Sequence, residues 1–355
     1  MANLSIKLRN QQNPYAVLIG LDSMQGIQAA RILAGHKIPV IAIASDADHH
    51  ACRTNVCEQI YIARKREEIL ETLAAIGPQL DQKAVLFPCE DSKVLTVSRF
   101  REQLEPWYHI VLPPADIVEM LMDKMTFYTY AAENDLAIPK TLFLHNREDA
   151  EEAAQILNFP CAMKPPYRTS AWTSHTSLKA FKVEGPEELL ALYDEYHLFT
   201  EALIVQQWIE GGETELYSCN CYFDANSEPA VTFVARKLRQ WPPKIGQSSL
   251  GEECRNDVVL QESLRLFRSV DYRGLGYVEI KRDVPTDKYY IVEPNIGRPT
   301  GRSAIAEAGG VALLYTMYCD AVGFPLPDNR TQTYQGVKWI HIRRDTQAAL
   351  FGWWH

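Results

Sequence analysis

The hydrophobic and polar positions in the first third of the chain alternate between two patterns. Short continuous apolar runs (YAVLIG, PVIAIA, AVLFP) are separated by segments with helical periodicity, such as DSMQGIQAARILAGHK and SKVLTVSRFREQLE. Continuous apolar runs are typical of strands buried on both faces, and their alternation with helices is typical of a parallel α/β sheet. The pattern therefore predicts a small parallel sheet with a ligand site at the carboxyl ends of its strands.

The remainder of the chain has a different order of elements. Pro113 and Pro114 mark a boundary, and ADIVEMLMDKMTFYTYAAENDL after them predicts two helices. Strands are predicted at FPCAMKPP, SLKAFKV, ALIVQQW, ELYSCNCYFD and PAVTFVARKLRQW, and helices at GPEELLALYDEYH and VVLQESLRLFRSV. This order predicts an α+β region with an antiparallel sheet. For a chain of 355 residues we expect three domains, at 1–113, 114–205 and 206–355.

Two segments near the end, GYVEIKRD and KYYIVEPN, flank the turn DVPTD and predict a β-hairpin. If the turn is centred near Thr286, Glu279 lies opposite Glu293, and Asn295 lies on the same face as Glu293. Opposed carboxylates repel unless a cation lies between them, and an all-oxygen set suits Mg²⁺ or Mn²⁺. The alternative is a solvated hairpin whose glutamates face water or neighbouring basic residues. The apolar packing of the hairpin is predicted to come from Val278, Ile280, Ile291 and Val292.

Composition and charge narrow the classes of function. The formal net charge is −9 without a clustered basic face, which argues against nucleic acid or an anionic membrane as the main partner. No apolar run approaches the roughly 20 residues needed to cross a bilayer, and the first residues lack the apolar segment of a signal peptide. The eight cysteines lack the spacing of a zinc site and the density of a disulfide scaffold. We expect a soluble, cytoplasmic protein that acts on small molecules, and a homo-oligomer is left open.

The turn IGLDSMQG joins a predicted strand to a predicted helix, as a dinucleotide-binding loop does. However, Asp22 and Gln25 stand where the second and third glycines of GxGxxG are required. We therefore expect no dinucleotide at this turn, although a helix N-terminus there could hold another anionic group.

Lys164, in CAMKPP, stands within an apolar strand. Burying its ammonium is costly unless it reaches an anion, and the alternative is that the side chain extends to water at the strand end. Lys124 lies on a predicted helix, where a lysine by itself is typical of a solvated face.

Taken in order, the motifs MDKMTFY, CAMKPP, LIVQQWIEGGE, ARKLRQWPP, YVEIK and IVEPNIGRPTGRS resemble those of the ATP-grasp superfamily, in particular its carboxylate–amine ligases. The resemblance covers most of the chain. It implies an N-terminal parallel α/β (pre-ATP-grasp) domain followed by an ATP-grasp fold with an antiparallel sheet. It also implies an ATP-dependent ligase that joins a small-molecule carboxylate to an amine through an acyl phosphate, releasing ADP and phosphate.

Two other classes of protein are weighed against a ligase. A kinase-like or nucleotide-sensing protein could keep the same ATP pocket without ligation. A nicotinamide oxidoreductase is the other alternative, and the glycines missing at Asp22 and Gln25 argue against it.

Within this resemblance, two groups of residues would bind ATP. The lysines that match the phosphate-binding positions are Lys124 and Lys164. The residues that match the segment around adenine and the ribose hydroxyls are Gln206, Gln207, Trp208, Ile209 and Glu213. Lys237 matches a cation near the γ-phosphate, although Arg236 or Arg239 could serve instead.

The resemblance also implies a metal site and a substrate site. The matching ligands for Mg²⁺ (or Mn²⁺) are Glu279, Glu293 and Asn295. Arg298, with Arg302, matches the arginine that holds the acyl phosphate. The loop after Lys164, PPYRTSAWTSHTS, corresponds to a lid that is commonly glycine-rich, but it contains no glycine. Hydroxyl groups, backbone N–H groups and Arg168 would replace those contacts.

Overall fold

The computed structural model describes residues 12–243 and 246–354 of the chain. The predicted lack of a signal peptide and the start of the first predicted domain concern residues 1–11, which lie outside the described residues. The helices and strands below follow chain order.

The first region is a parallel sheet covered by helices. Its strands are β1 (Ala16–Ile19), β2 (Val40–Ala44), β3 (Gln59–Ile62), β4 (Ala84–Pro88) and β5 (Tyr108–His109). Its helices are α1 (Met24–Gly35), α2 (Arg66–Ile76), α3 (Asp91–Arg99) and α4 (Arg101–Leu104). The strand order is β3-β2-β1-β4-β5 and every pair is parallel, which confirms the predicted sheet. The sequence pattern did not predict β3 or α2, and β3 is short and only partly buried.

The order of this sheet reverses between β1 and β4. The chain leaves β1 toward β2 on one side and leaves β4 toward β5 on the other. In open parallel sheets such a reversal opens a crevice beyond the carboxyl ends of the two central strands. The turns after β1 and β4 therefore flank a crevice in which a ligand could bind.

The second region contains a four-stranded sheet. Its helices are α5 (Ala115–Met122), α6 (Lys124–Glu133), α7 (Arg147–Ile156), α8 (Ser170–His175) and α9 (Pro186–Tyr196). Its strands are β6 (Thr141–Leu144), β7 (Cys161–Lys164), β8 (Phe181–Val183) and β9 (Leu203–Gln207), in the antiparallel order β6-β9-β7-β8. The predicted domain boundary between residues 205 and 206 falls within β9, which pairs with both β6 and β7.

The segment after β7, predicted as a loop, contains the short helix α8. The Thr169 side chain caps the helix by accepting a hydrogen bond from the Trp172 N–H at 3.0 Å. Trp172 is fully buried and packs against the rings of Phe181 and Tyr196. A capping hydroxyl and a buried indole therefore order residues that a Ser/Thr-rich composition alone marks as a loop.

The third region contains a six-stranded antiparallel sheet. Its strands are β10 (Leu216–Phe223), β11 (Pro229–Trp241), β12 (Gln247–Glu253), β13 (Gly274–Asp283), β14 (Lys288–Ile296) and β15 (Lys338–Ile340). Its helices are α10 (Asp257–Ser269), α11 (Ser303–Ala308), α12 (Leu313–Val322) and α13 (Ile342–Trp354). The order is β14-β13-β10-β11-β12-β15, which confirms the predicted antiparallel sheet. β12 was not predicted.

The predicted hairpin register is confirmed, because Glu279 pairs with Glu293. A β-bulge produces this register: Ile280 pairs with Ile291, so Val292 is an extra residue before Glu293. The prediction that Val292 packs in the core with the other apolar hairpin residues is wrong, since it is only partly buried and lines a cleft.

Apolar clusters join the parallel sheet to the six-stranded sheet. One contains Ile19 and Leu86 together with Val278 and Ile296. The contact is close at Gly297, whose φ is +68° and where a Cβ atom would approach a Leu112 methyl group within 2.4 Å. Only glycine fits this backbone and this spacing, so the end of β14 is held against the turns of the parallel sheet.

Candidate active site

Glu279 and Glu293 face each other on neighbouring strands, and both are partly buried. Burial and the negative charge of Glu279 raise the pKa of the Glu293 carboxyl, against the opposing effect of Lys124 and Lys164. The two carboxylates therefore form an acidic pair whose mutual repulsion is only partly relieved by nearby lysines.

Two cations neutralise Glu279. Lys237 Nζ lies 3.2 Å from Glu279 Oε1, and an Arg302 guanidinium nitrogen lies 3.8 Å from the same oxygen. Burial alone would raise the pKa of the Glu279 carboxyl, but the charges of Lys237 and Arg302 outweigh it and lower the pKa. Lys237 is held in place by a 3.0 Å hydrogen bond that it donates to Gln240 Oε1.

Lys164 directs its ammonium into the interior of the site. Its Nζ lies 3.2 Å from Gln206 Oε1 and 3.5 Å from the Tyr128 hydroxyl. Burial lowers the pKa of Lys164, and the negative charge of Glu293 partly offsets this. A buried ammonium with few partners is suited to meet an anionic ligand.

Tyr128 was not singled out from the sequence, where nothing distinguishes it from other core aromatic residues. It lies one helical turn after Lys124 on α6 and donates a 2.6 Å hydrogen bond to the carbonyl of Val292 in the bulge. Burial raises its pKa to about 12, so the hydroxyl stays protonated. It thus ties the lysine helix to the strand of Glu293.

Arg298 connects the hairpin to the parallel sheet. It donates hydrogen bonds to Asn295 Oδ1 at 2.6 Å and to Asp91 Oδ1 at 2.5 Å. Asp91 is the first residue of α3, immediately after the turn that follows β4. The guanidinium therefore lies at the junction between the acidic hairpin and the crevice of the parallel sheet.

A single cleft of about 540 Å³ brings most of the predicted site residues together. Its lining includes Lys124, Lys164, Arg168, Lys237, Glu279, Glu293, Asn295, Arg298 and Arg302. Arg236 and Arg239, the alternatives to Lys237, instead pair with Glu252 and Asp345 outside this lining. We refer to this space as the phosphate cleft.

The predicted adenine and ribose residues do not line the phosphate cleft. The buried Gln206 side chain donates to the Thr141 hydroxyl and accepts from Lys164, so it supports a cleft residue. Glu213 accepts a 2.9 Å hydrogen bond from the Gln240 N–H.

The segment that follows Gln206 also makes internal contacts. The Gln207 N–H donates to the Lys140 carbonyl at 2.9 Å. Lys281 donates to the Ile209 carbonyl at 2.7 Å, and its ammonium lies over the Trp208 ring at 5.6 Å. These contacts hold the segment beside the cleft wall, and its nucleotide role stays a prediction.

The donor set at the hairpin fits a hard divalent cation. Two carboxylates and one amide oxygen lie on the same face, and a cation between the carboxylates would replace repulsion by attraction. Among residues 12–243 and 246–354, no group of three or more His, Cys, Asp or Glu side chains could hold a metal ion. A metal at the hairpin would therefore need Asn295 and oxygens from bound phosphates to complete its coordination.

Comparison with known proteins finds a curated relative and solved structures of similar fold. No protein-family model matches this chain. The chain is 25% identical over 232 residues to D-aspartate ligase of Enterococcus faecium (strain Aus0004), which covers 63% of this chain and 55% of that protein. The match thus spans about half the length of this curated relative.

Solved structures match nearly the whole chain at low sequence identity. N5-carboxyaminoimidazole synthetase from Staphylococcus aureus aligns with a TM-score of 0.69 at 13% identity, covering 90% of this chain and 79% of that chain. Biotin carboxylase from Campylobacter jejuni, in a β,γ-ATP complex, aligns with a TM-score of 0.68 at 16% identity, covering 88% and 72%. Phosphoribosylglycinamide synthetase from Anaerococcus prevotii aligns with a TM-score of 0.66 at 14% identity, covering 88% and 76%.

The fold is that of the ATP-grasp superfamily, preceded by a parallel α/β domain, and the resemblance inferred from the motifs is confirmed. Within that superfamily, the similarity is to ligases and synthetases of the carboxylate–amine type. In the described part of the chain, every helix is too short or too polar to cross a bilayer.

Proposed function

We propose that the protein is an ATP-dependent ligase that joins a small-molecule carboxylate to an amine through an acyl phosphate, releasing ADP and phosphate. One observation carries this proposal. An opposed pair of carboxylates, Glu279 and Glu293, shares a cleft with lysines and arginines that come from the second and third regions of the chain. The similarity to a protein named D-aspartate ligase supports ligation as the class of reaction.

The charges of the cleft match the needs of phosphoryl transfer. ATP repels an incoming carboxylate, and this repulsion falls when cations surround the phosphates. Lys124 and Lys164 would contact the phosphates from α6 and β7. Lys237 would reach the γ-phosphate, at the cost of its present contact with Glu279.

Glu279, Glu293 and Asn295 would hold Mg²⁺ (or Mn²⁺). A divalent cation held by these three side chains would supply positive charge to offset the negative charge that develops during phosphoryl transfer. Burial and the charge of Glu279 raise the pKa of the Glu293 carboxyl, and a cation bound between the two carboxylates would oppose that effect.

Arg298 and Arg302 would hold the reacting carboxylate. A carboxylate oxygen attacks the γ-phosphorus, the bond from that phosphorus to the β–γ bridging oxygen breaks, and ADP leaves. The amine nitrogen then attacks the acyl carbon, phosphate leaves with the former carboxylate oxygen, and the nitrogen loses a proton. An acyl phosphate is a far better acyl donor than a carboxylate, so two accessible steps replace one difficult step.

Trapping with hydroxylamine tests this function. The protein is incubated with ATP, Mg²⁺, hydroxylamine and each member of a panel of carboxylic acids, without an amine substrate. The expected result is a hydroxamate together with ADP and phosphate for at least one acid. Glu293→Gln should abolish it, whereas Glu71→Gln, at an exposed position on α2, should not.

Other products would point to other functions. AMP and pyrophosphate would indicate activation by adenylation and would overturn the acyl-phosphate mechanism. ADP without any hydroxamate would favour the kinase-like or nucleotide-sensing alternative.

A further inference from the structure

A second cleft, of about 770 Å³, opens from the phosphate cleft. The two share Met24, Gln25, Asp91, Gln247 and Arg298 in their linings. The second cleft lies beyond the carboxyl ends of β1 and β4, where the order of the parallel sheet reverses. Hereafter we call this space the crevice. A ligand in it would have one end at Arg298, beside the phosphate cleft.

Helix α1 supplies one wall of the crevice. The helix is fixed at its start by Ser23, whose hydroxyl accepts a 2.9 Å hydrogen bond from the Gly26 N–H. Gln25, Gln28 and Arg31 follow one another at three-residue intervals, so they share one face of the helix, and all three line the crevice. Gln28 Oε1 is buried and has no hydrogen-bond partner among the described residues. A buried amide without a partner is costly unless a ligand supplies one.

Helix α13 supplies the opposite wall. Its position is fixed by the buried Asp345, which accepts a 3.0 Å hydrogen bond from the Ser249 hydroxyl and lies 3.2 Å from the Arg239 guanidinium. With α13 held in this way, Arg343 and Arg344 line the crevice. Arg344 donates a hydrogen bond to the side chain of Gln247.

The remaining charged groups of the crevice differ in whether they have partners. Asp91 is paired with Arg298. One Asp22 carboxylate oxygen accepts hydrogen bonds from the Ser45 hydroxyl at 2.5 Å and from two backbone N–H groups. These acids are therefore already satisfied within the protein.

Three other charged crevice residues differ from these acids. Within residues 12–243 and 246–354, the side chains of Arg31, Arg343 and Glu90 make no ion pair and no hydrogen bond. Glu90 precedes Asp91, and its Oε2 lies 3.3 Å from the position that a Cβ on Gly20 would occupy, over the turn after β1. The unpaired acid thus belongs to the end of the crevice near Arg298, and the unpaired arginines belong to its two helical walls.

We infer that the crevice binds the amine substrate of the ligation, and that this amine carries an anionic group, a carboxylate or a phosphate, held by Arg31 and Arg343. The inference rests on the proposed function for the identity of the reaction. Glu90 and the Gln28 amide oxygen attract the amino group. They hold it next to the acyl carbon of the acid substrate, which is bound by Arg298. A guanidinium binds carboxylate or phosphate through paired hydrogen bonds, and the concave surface limits screening by water.

A binding experiment tests this without requiring turnover. The protein is loaded with Mg²⁺ and a non-hydrolysable ATP analogue, and ligand binding is measured by saturation-transfer NMR. The probes are amines in matched pairs: each standard amino acid, in both enantiomers, against its decarboxylated amine, and phosphoethanolamine against ethanolamine. The amino acids test a carboxylate as the anionic group, and phosphoethanolamine tests a phosphate.

The expected result is that at least one anionic amine binds about tenfold or more tightly than its counterpart, as a charge-assisted hydrogen bond allows. Arg31→Gln and Arg343→Gln should each weaken the anionic member by about tenfold and leave its counterpart unchanged. Arg53→Gln serves as the matched control, because Arg53 is likewise exposed but lies outside the crevice lining. Retained affinity for the ATP analogue shows that each variant is folded.

Two outcomes would overturn the inference. One is that no anionic amine binds more tightly than its counterpart. The other is that the preference persists in the double variant of Arg31 and Arg343. Failure of the proposed function is detected separately, because hydroxamate formation by the unsubstituted protein requires no amine. A preference that depends on both arginines, without hydroxamate, would leave the site standing and remove the ligase assignment.

Discussion

Lys237 Nζ lies 3.2 Å from the Glu279 carboxylate, although the strands of these residues are separated by β10. Ser218 on β10 pairs with Glu279 on one side and with Ala235 on the other, and Lys237 is two residues beyond Ala235 on the same face. Their side chains are 6% and 17% exposed, so the ion pair is largely shielded from water. The residue proposed to hold metal and the residue proposed to contact the γ-phosphate neutralise each other in this structure.

Replacing Glu279 should therefore destabilise the protein itself. Glu279→Gln leaves Lys237 and Arg302 without their anion, and breaking a buried pair from one side costs about 3–5 kcal/mol. Urea unfolding in the presence of a chelator measures the loss. Glu252→Gln is a matched control, since Glu252 is equally exposed but pairs with the more accessible Arg236, where about 1 kcal/mol is expected. Equal losses in the two variants would contradict the importance of burial here.

Glu293→Gln should have the opposite effect on stability. Its pKa is raised in the folded state by burial and by Glu279, so folding disfavours the charged form at pH values above the unfolded pKa. A permanently neutral glutamine removes that penalty. At pH 8 without metal, the free energy of unfolding should be equal to or higher than that of the unsubstituted protein, whereas hydroxamate formation should fall by about 100-fold or more. A variant with normal turnover would remove Glu293 from the metal site.

Arg298→Lys should impair acyl-phosphate formation more than nucleotide binding. The guanidinium holds Asn295 and Asp91 at the same time, and an ammonium cannot reproduce two directed contacts while also binding a carboxylate. We expect hydroxamate formation to fall by about 100-fold with little change in affinity for an ATP analogue. Arg268→Lys, on the surface of α10, is the control. If both quantities fall together, Arg298 acts on the nucleotide and not on the acid.

Trypsin should cut on either side of α8 in the free protein and less when nucleotide is bound. Arg168 and Lys179 are exposed and line the phosphate cleft, while the helix between them is anchored by Trp172. Contacts from these residues to bound phosphates would immobilise the connecting segments. The rates of cleavage are compared with and without Mg²⁺ and an ATP analogue, using cleavage after the exposed Lys288 as the internal control. Unchanged rates at Arg168 would count against a lid.

The stability of the protein should depend on pH because of Glu307, a partly buried carboxyl that lies outside the phosphate cleft. Burial raises its pKa from 4.5 to about 7, so the folded state binds the proton more tightly than the unfolded state between these values. Stability should therefore decrease as pH rises through this window, by a few kcal/mol at most. Glu307→Gln keeps an acceptor for the Leu314 N–H and removes the titration. The variant should be more stable than the unsubstituted protein at pH 8, with little difference at pH 5.

The neighbouring His36 must be controlled in that experiment. Its Nε2 lies 3.8 Å from Glu307 Oε2, and burial lowers its pKa. Its contribution therefore has the opposite sign, because stability is lost as the pH falls through the lowered value. The difference between the variant and the unsubstituted protein isolates Glu307. A difference that does not change between pH 5 and pH 8 would show that Glu307 does not titrate in this window.

Most of the local elements and their order were predictable from the sequence alone. Apolar runs predicted β1, β2 and β4, the turn DVPTD predicted the hairpin, and alternation along its strands placed Glu293 and Asn295 on one face. These features depend on contacts within a few residues, where periodicity and turn chemistry decide the outcome. The motif order was sufficient to indicate the fold. The short, partly buried strand β3 and the helix α8, with its single buried Trp172, gave no such signal.

Contacts between groups that are distant in the sequence were not predictable and depend on how the chain packs. Lys237 reaches Glu279 across an intervening strand. The bulge at Val292 sets the pairing of Glu279 with Glu293. Helix α13 places Arg343 in the same crevice as Arg31 on α1. Such neighbours depend on strand order and on the packing of helices against sheets, and local periodicity contains no information about either. The same limit applies to charge: the sequence shows which side chains can ionise, whereas burial and partners decide which of them remain unpaired for a ligand.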